Sequence, residues 1–75
     1  MDFEKISHVI AETLGCEIES VKMEATLAEL GADSLAAVEL MMAMEEATGV
    51  AIEDEAMSSL KTVGDIMDYL AANNN

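Results

Sequence analysis

Three glycines, Gly15, Gly31 and Gly49, each follow a stretch in which apolar residues recur at helical spacing. Glycine readily adopts the left-handed conformation with which many α-helices end, so these positions predict helix C-termini. No proline, Gly-rich linker or internal repeat interrupts the chain. The pattern therefore predicts one domain, residues 1–75, in which helices pack against one another.

Four helices are expected, at residues 3–14, 34 or 35 to 48, 54–60 and from 62 onwards. The long first connection contains a single turn capped by Thr26 and Glu29, and its apolar residues Ile18, Val21 and Leu27 should contact the core. The last helix should bury Val63, Ile66, Met67 and Leu70. The expected fold is an all-α, small antiparallel four-helix bundle with a long first loop, a short third helix and a disordered tail at residues 73–75.

The charge balance is strongly acidic, because 16 Asp and Glu residues against 3 Lys and Arg give a net charge of −13. Binding to nucleic acid or to an anionic membrane requires clustered basic side chains, so both partners are excluded. Hydrophobic residues still make up 52% of the chain, which favours a folded domain over disorder. The longest purely apolar run, residues 40–44, is far shorter than the ~20 residues that span a bilayer, and no membrane insertion is expected.

Cysteine and histidine each occur once, as Cys16 and His8. One cysteine cannot form an internal disulfide or a cysteine zinc site, which suits a reducing compartment. The first residues also lack the basic and then apolar order of a signal peptide, so a cytoplasmic protein is expected. We interpret Cys16 as a half-buried residue after the first helix and His8 as solvent-facing, and we expect no metal site.

The second helix is apolar on two faces. At about 100° per residue, a broad face without charge holds Ala36, Ala37, Leu40, Met41, Ala43, Met44 and Ala47. A second stripe holds Leu35, Val38 and Met42, interleaved with Glu39, Glu45 and Glu46. Packing this stripe inside the bundle would bring carboxylates into apolar surroundings, and no basic residue lies between Lys22 and Lys61. We therefore favour an exposed docking surface for basic partners, with packing inside the bundle as the alternative.

Ser34 lies at the start of the second helix, beside Asp33. A serine in this position is most often an N-cap, and this interpretation stays open. It does not resemble an activated nucleophile, because the single histidine belongs to another helix and no Gly-x-Ser-x-Gly motif surrounds it. No enzyme active site is expected, but a helix N-terminus does favour an attached phosphate.

The segment Leu30-Gly31-Ala32-Asp33-Ser34-Leu35, followed by Val38-Glu39-Leu40 and Glu45-Glu46, resembles acyl carrier proteins of the freestanding type. The similarity extends over nearly the whole chain, including the long first connection and the closing segment Thr62-Val63-Gly64-Asp65-Ile66. The Asp-Ser-Leu triplet alone is a weak signal. Together with the length, the acidity and the order of the helices it is specific.

This resemblance implies that Ser34 carries a 4′-phosphopantetheine arm, transferred from coenzyme A, whose thiol holds acyl groups as thioesters while the carrier itself catalyses nothing. It implies that Asp33 assists the attachment through the metal ion of a phosphopantetheinyl transferase. That transferase and basic-surfaced enzymes of acyl-chain synthesis would recognise Leu35, Val38, Glu39, Met42, Glu45 and Glu46. An acyl chain folded back between the second and third helices would lie near Leu40, Met44, Met57 and Leu60.

Three positions depart from the family pattern. Ala36 stands where a polar or acidic residue is frequent, Thr48 where a large apolar residue often closes the helix, and Glu53 where proline is common. The implied function is a monomeric carrier of dissociated fatty acid synthesis. The alternatives are a carrier for a polyketide, aminoacyl or other specialised pathway, and an unmodified acidic interaction module in which Ser34 only caps the helix.

Overall fold

A computed structural model describes residues 3–73 of the chain. Its four α-helices are α1 (Phe3–Leu14), α2 (Ser34–Thr48), α3 (Asp54–Ser59) and α4 (Val63–Asn73). The described part contains no strand, only one isolated antiparallel bridge between Thr26 and Thr62. The predicted all-α fold with a short third helix is therefore confirmed. A 3₁₀ helix at Ile18–Ser20, which the sequence did not predict, lies within the long first loop.

The ends of α1 and α2 follow from the conformation of the glycines after them. Gly15 and Gly49 have φ angles of 69° and 76°, in the left-handed region that glycine adopts at little cost. The N–H of Gly49 donates to the carbonyl oxygen of Glu45 at 2.8 Å and satisfies the last turn of α2. The Thr48 hydroxyl also donates to the Met44 carbonyl oxygen at 2.7 Å, which is how a polar residue is accommodated at this half-buried helix end.

The core combines one face of each long helix with Val21, Leu27 and Leu30 of the first loop, and with Ile52 and Met57 before and within α3. Its fully buried side chains are Ile6, Ile10, Leu40, Met44, Val63, Ile66 and Leu70. Val21 and Leu27 of the loop are buried as predicted, whereas Ile18 is only half-buried. The prediction that Met67 is buried is wrong in degree, because this residue lies at the margin of the α4 face and is half-buried.

The first loop is attached to the start of α4 by three backbone hydrogen bonds. The N–H of Leu27 donates to the carbonyl oxygen of Lys61 at 2.9 Å. The N–H of Val63 donates to the carbonyl oxygen of Ala25 at 3.0 Å, and the N–H of Gly64 donates to that of Met23 at 2.8 Å. These bonds hold the loop across the bundle. They place its last residues beside the end of α3.

Two capping boxes support this arrangement, as predicted. In the first, the N–H groups of Thr26 and Glu29 bond reciprocally to each other's side chains at 3.0 and 3.2 Å. In the second, the Asp65 carboxylate accepts from the N–H groups of Lys61 and Thr62 at 3.0 and 3.1 Å. The backbone N–H of Thr26 lowers the pKa of Glu29, and the N–H groups of Lys61 and Thr62 lower the pKa of Asp65, because they stabilise the charged carboxylates.

The C-terminal segment is helical as far as Asn73. The side-chain amide of Asn73 donates to the Tyr69 carbonyl oxygen at 2.8 Å. The prediction that Asn73 belongs to a disordered tail is therefore wrong. The rest of that predicted tail, residues 74 and 75, lies outside the described residues. None of the helices within residues 3–73 has the length and apolar character needed to cross a membrane.

Candidate functional site

Asp33, and not Ser34, is the N-cap of α2. One oxygen of its carboxylate, Oδ1, accepts a hydrogen bond from the N–H of Ala36 at 2.8 Å, and its carbonyl oxygen accepts from Ala37 at 2.9 Å. Ser34 is the first residue of the helix and is exposed, and its hydroxyl makes no hydrogen bond within residues 3–73. The interpretation of Ser34 as the cap is therefore wrong, and its hydroxyl is available for another role.

Ser34 opens onto a groove between α2 and α3. The groove is closed on one side by the end of the first loop. Its lining comprises Leu27, Ala32, Asp33, Ser34, Ala37, Val38, Met41, Asp54, Met57, Ser58 and Leu60. Asp33, Ser34, Asp54 and Ser58 are its polar lining residues, and all the other lining side chains are apolar. The site thus joins an exposed hydroxyl directly to a surface suited to an alkyl chain.

The structure places only half of the predicted cavity residues in this groove. Met57 and Leu60 line it, whereas Leu40 and Met44 are fully buried in the core and do not reach its surface. The reason is angular: Leu40 and Met44 lie on the side of α2 that faces the core, and Ala37 and Met41 lie on the flank towards α3. The sequence places Ala37 and Met41 on the core face of α2, and no sequence signal shows that both are half-buried and border the groove.

The second apolar stripe of α2 faces solvent. Leu35, Val38 and Met42, here called the exposed strip, are 69%, 46% and 61% exposed. The carboxylates interleaved with them, Glu39, Glu45 and Glu46, are exposed as well. Packing of the strip against another helix of the bundle, the alternative weighed from the sequence, is therefore wrong. An apolar row framed by carboxylates is left open on the same helix that begins at Ser34.

The remaining candidate residues lie away from this surface. His8 on α1 is exposed and Cys16 is half-buried, and both border a depression at the end of α1. Among residues 3–73, no group of three or more His, Cys, Asp and Glu side chains is arranged to hold a metal ion.

Comparison with known proteins agrees with this geometry. A family model described as "Phosphopantetheine attachment site" matches residues 4–70. The chain is 53% identical over 70 residues to "Acyl carrier protein" of Syntrophobacter fumaroxidans, covering 92% of this chain and 86% of that protein. It is 42% identical over 73 residues to "Acyl carrier protein" of Clostridium acetobutylicum, covering 96% of this chain and 95% of that protein.

The family model extends over α1, the first loop, α2, α3 and nearly all of α4, so the match concerns the whole fold and not the serine segment alone. Members of this family bear 4′-phosphopantetheine, act as carriers and not as enzymes, and interact with phosphopantetheinyl transferases and synthesis enzymes. The chain belongs to the acyl carrier protein family.

Proposed function

We propose that Ser34 is the residue to which the 4′-phosphopantetheine arm is attached. The observation that carries this proposal is the division of roles at the start of α2, where Asp33 caps the helix and the exposed Ser34 hydroxyl makes no hydrogen bond in the described chain. A phosphate bonded to Ser34 would lie at the N-terminus of a 15-residue helix, which favours negative charge. The residues present therefore fit the group.

The attachment reaction breaks the phosphoanhydride bond of coenzyme A and forms a phosphodiester on Ser34. The Ser34 hydroxyl oxygen forms a bond to the phosphorus that bears the pantetheine of coenzyme A, the pyrophosphate P–O bond breaks, the adenosine nucleotide leaves and the hydroxyl proton is released. Asp33 assists through its second carboxylate oxygen, which makes no hydrogen bond within residues 3–73 and can hold the metal ion of the transferase. Once bound, the arm supplies the thiol that carries acyl groups as thioesters.

The groove between α2 and α3 shelters the acyl chain. It begins at Ser34 and is lined by Ala37, Met41, Met57 and Leu60, whose side chains offer apolar contact and no charge. Leu40 and Met44, fully buried on the core side of α2, would contact only an acyl chain that extends past this lining. An alkyl chain in this groove leaves water and stabilises the folded protein.

The exposed strip and its carboxylates form the docking surface. Leu35, Val38 and Met42 provide apolar contact, and Glu39, Glu45 and Glu46 attract enzymes with basic surfaces, including the transferase. No basic residue lies between Lys22 and Lys61, so nothing in this stretch of chain opposes the attraction. Self-association through the exposed strip would block these partners, and we propose that the carrier acts as a monomer.

The pathway we propose is dissociated fatty acid synthesis in the cytoplasm, in which the carrier moves growing chains among separate enzymes. The apolar lining of the groove supports a straight alkyl cargo, since a polar aminoacyl group would gain little from it. The measurement is the set of acyl groups found as thioesters on the carrier in cells. A series of saturated chains is expected, and a single polyketide or aminoacyl group would contradict the pathway.

Attachment itself is tested by incubating the chain with coenzyme A and a phosphopantetheinyl transferase and measuring the intact mass. The mass should increase by one phosphopantetheine group in the wild-type chain and in Ser58→Ala, a control that removes another exposed hydroxyl of the same groove. Ser34→Ala should gain nothing. An unchanged wild-type mass, or a gain that persists in Ser34→Ala, would overturn the proposal.

A further inference from the structure

The methionines of this protein differ widely in their access to solvent. Of the six within residues 3–73, Met42 is the most exposed at 61%, and Met23 follows at 45%. Met41 and Met67 are half-buried, Met57 is 9% exposed and Met44 is fully buried. Oxidation of a thioether requires contact with an oxidant from solution, so accessibility orders the reactivity of these side chains and places Met42 first.

Oxidation of Met42 would also change the surface proposed for docking. Met42 lies in the exposed strip between the carboxylates of α2, while its near neighbour Met44 points into the core. Addition of an oxygen atom to Met42 would therefore leave the packed interior of the bundle intact. The change would be confined to the surface that partners contact.

We propose that Met42 is a site of reversible oxidation by hydrogen peroxide, and that the sulfoxide weakens docking at the exposed strip; the second part rests on the function proposed above. In the step, the O–O bond of the peroxide breaks and one oxygen forms a bond to the thioether sulfur, which loses two electrons. The other oxygen leaves as water with both protons. Sulfoxide reductases act on this product, so the step can be reversed.

The expected effect is a loss of apolar contact without a change of charge. A sulfoxide oxygen placed in an apolar interface loses its hydrogen bonds to water, which opposes docking. The carboxylates that steer basic partners remain, so the dependence of association on ionic strength should not change. Weaker docking with an unchanged dependence on ionic strength distinguishes oxidation of Met42 from loss of Glu39 or Glu45.

The experiment uses the full chain before attachment of the arm, because the arm's thiol would consume peroxide. The chain is treated with a limited dose of hydrogen peroxide, and catalase then removes the remaining peroxide. Peptide mass spectrometry maps the oxidised positions. The KM of the treated chain is then measured for attachment by a phosphopantetheinyl transferase. Among the six methionines of residues 3–73, Met42 should be oxidised first, and KM should rise by about tenfold, the loss expected when roughly one apolar side-chain contact is forfeited.

Two variants identify the responsible sulfur, each compared with its own untreated sample. Met42→Leu should show no rise in KM after peroxide, and Met23→Leu should respond like the wild-type chain. The proposal is overturned if Met23 reacts before Met42, if treated wild-type protein keeps its KM, or if Met42→Leu is impaired equally. An untreated chain that gains no arm would instead refute the function proposed above and the docking effect with it, while the order of oxidation would still decide whether Met42 is the reactive site.

Discussion

The carboxylate of Asp33 accepts a hydrogen bond from the backbone N–H of Ala36 at 2.8 Å, and this contact leaves the hydroxyl of Ser34 outside the helix cap. Two adjacent residues that both favour helix starts therefore have different tasks. Asp33 ends the loop in an extended conformation, with φ of −99° and ψ of −170°, while Ser34 begins the helix and faces solvent. The hydroxyl proposed as the attachment site therefore lies at the start of the helix and makes no hydrogen bond within residues 3–73.

Substitutions of Asp33 should separate capping from attachment. Asparagine caps a helix about as well as aspartate, so Asp33→Asn should keep the free energy of unfolding while slowing arm transfer by at least about tenfold, because the charge is lost. Asp33→Ala should slow transfer and also destabilise the protein by about 1 kcal/mol. Urea unfolding and transfer rates provide the two readouts, and an Asp33→Asn variant that is modified at the wild-type rate would limit Asp33 to capping.

Charge reversal on α2 should weaken docking. Glu39→Lys and Glu45→Lys each replace attraction to a basic partner by repulsion, so affinity for a condensing enzyme should fall by about fivefold per substitution. The remaining binding should depend less on salt. The control is Asp68→Lys, the same charge change at an exposed position on α4. Equal loss in the control would show that net charge, and not the docking surface, determines affinity.

Filling the groove should reduce the stabilisation that an acyl chain provides. Loading the wild-type carrier with an alkyl chain should raise Tm by roughly 5 °C, because a chain bound only by the folded state stabilises it. Ala37→Leu narrows the groove and should remove most of that rise. Ala43→Leu changes the opposite flank of α2, in a depression towards α1, and should keep it. A full rise in Ala37→Leu would place the chain elsewhere.

The capping box at α4 should make stability sensitive to acid. The pKa of Asp65 is lowered in the folded protein, so its contribution is present above the unfolded value and is lost as pH falls through the folded one. Asp65→Asn should therefore be less stable than Asp68→Asn at neutral pH, and the difference should shrink as the solution is acidified. Both variants remove one negative charge from α4, so general repulsion cancels. Urea unfolding over a pH series measures the difference, and a constant difference would contradict the role of the Asp65 charge.

The helices were predictable because their signals are local. Gly15 and Gly49 follow the last turns of α1 and α2, and the exposure of Leu35, Val38 and Met42 follows from their angular position among carboxylates. The choice between Asp33 and Ser34 as cap was not predictable in the same way. Both residue types accept a hydrogen bond from a first-turn N–H, and the backbone conformation at residue 33 decides between them.

The lining of the groove depends on contacts between distant parts of the chain. The position of α3 against α2 cannot be read from the spacing within either helix, and this position exposes Ala37 and Met41 to the groove while Leu40 and Met44 stay in the core. The 3₁₀ helix Ile18–Ser20 is three residues long, too short for any periodic pattern. Local patterns thus locate Ser34 and the helix that carries the exposed strip, but not the shape of the groove beside them.

Fragmentation mass spectrometry of the transferase-treated chain is the most direct test of the central claim. The expected result is one phosphopantetheine group on Ser34, with every fragment that contains this residue heavier by that group. Fragments that contain Ser20, Ser58 or Ser59, which are exposed as well, should keep their unmodified masses. A group found on any of those serines, or on none, would contradict the account.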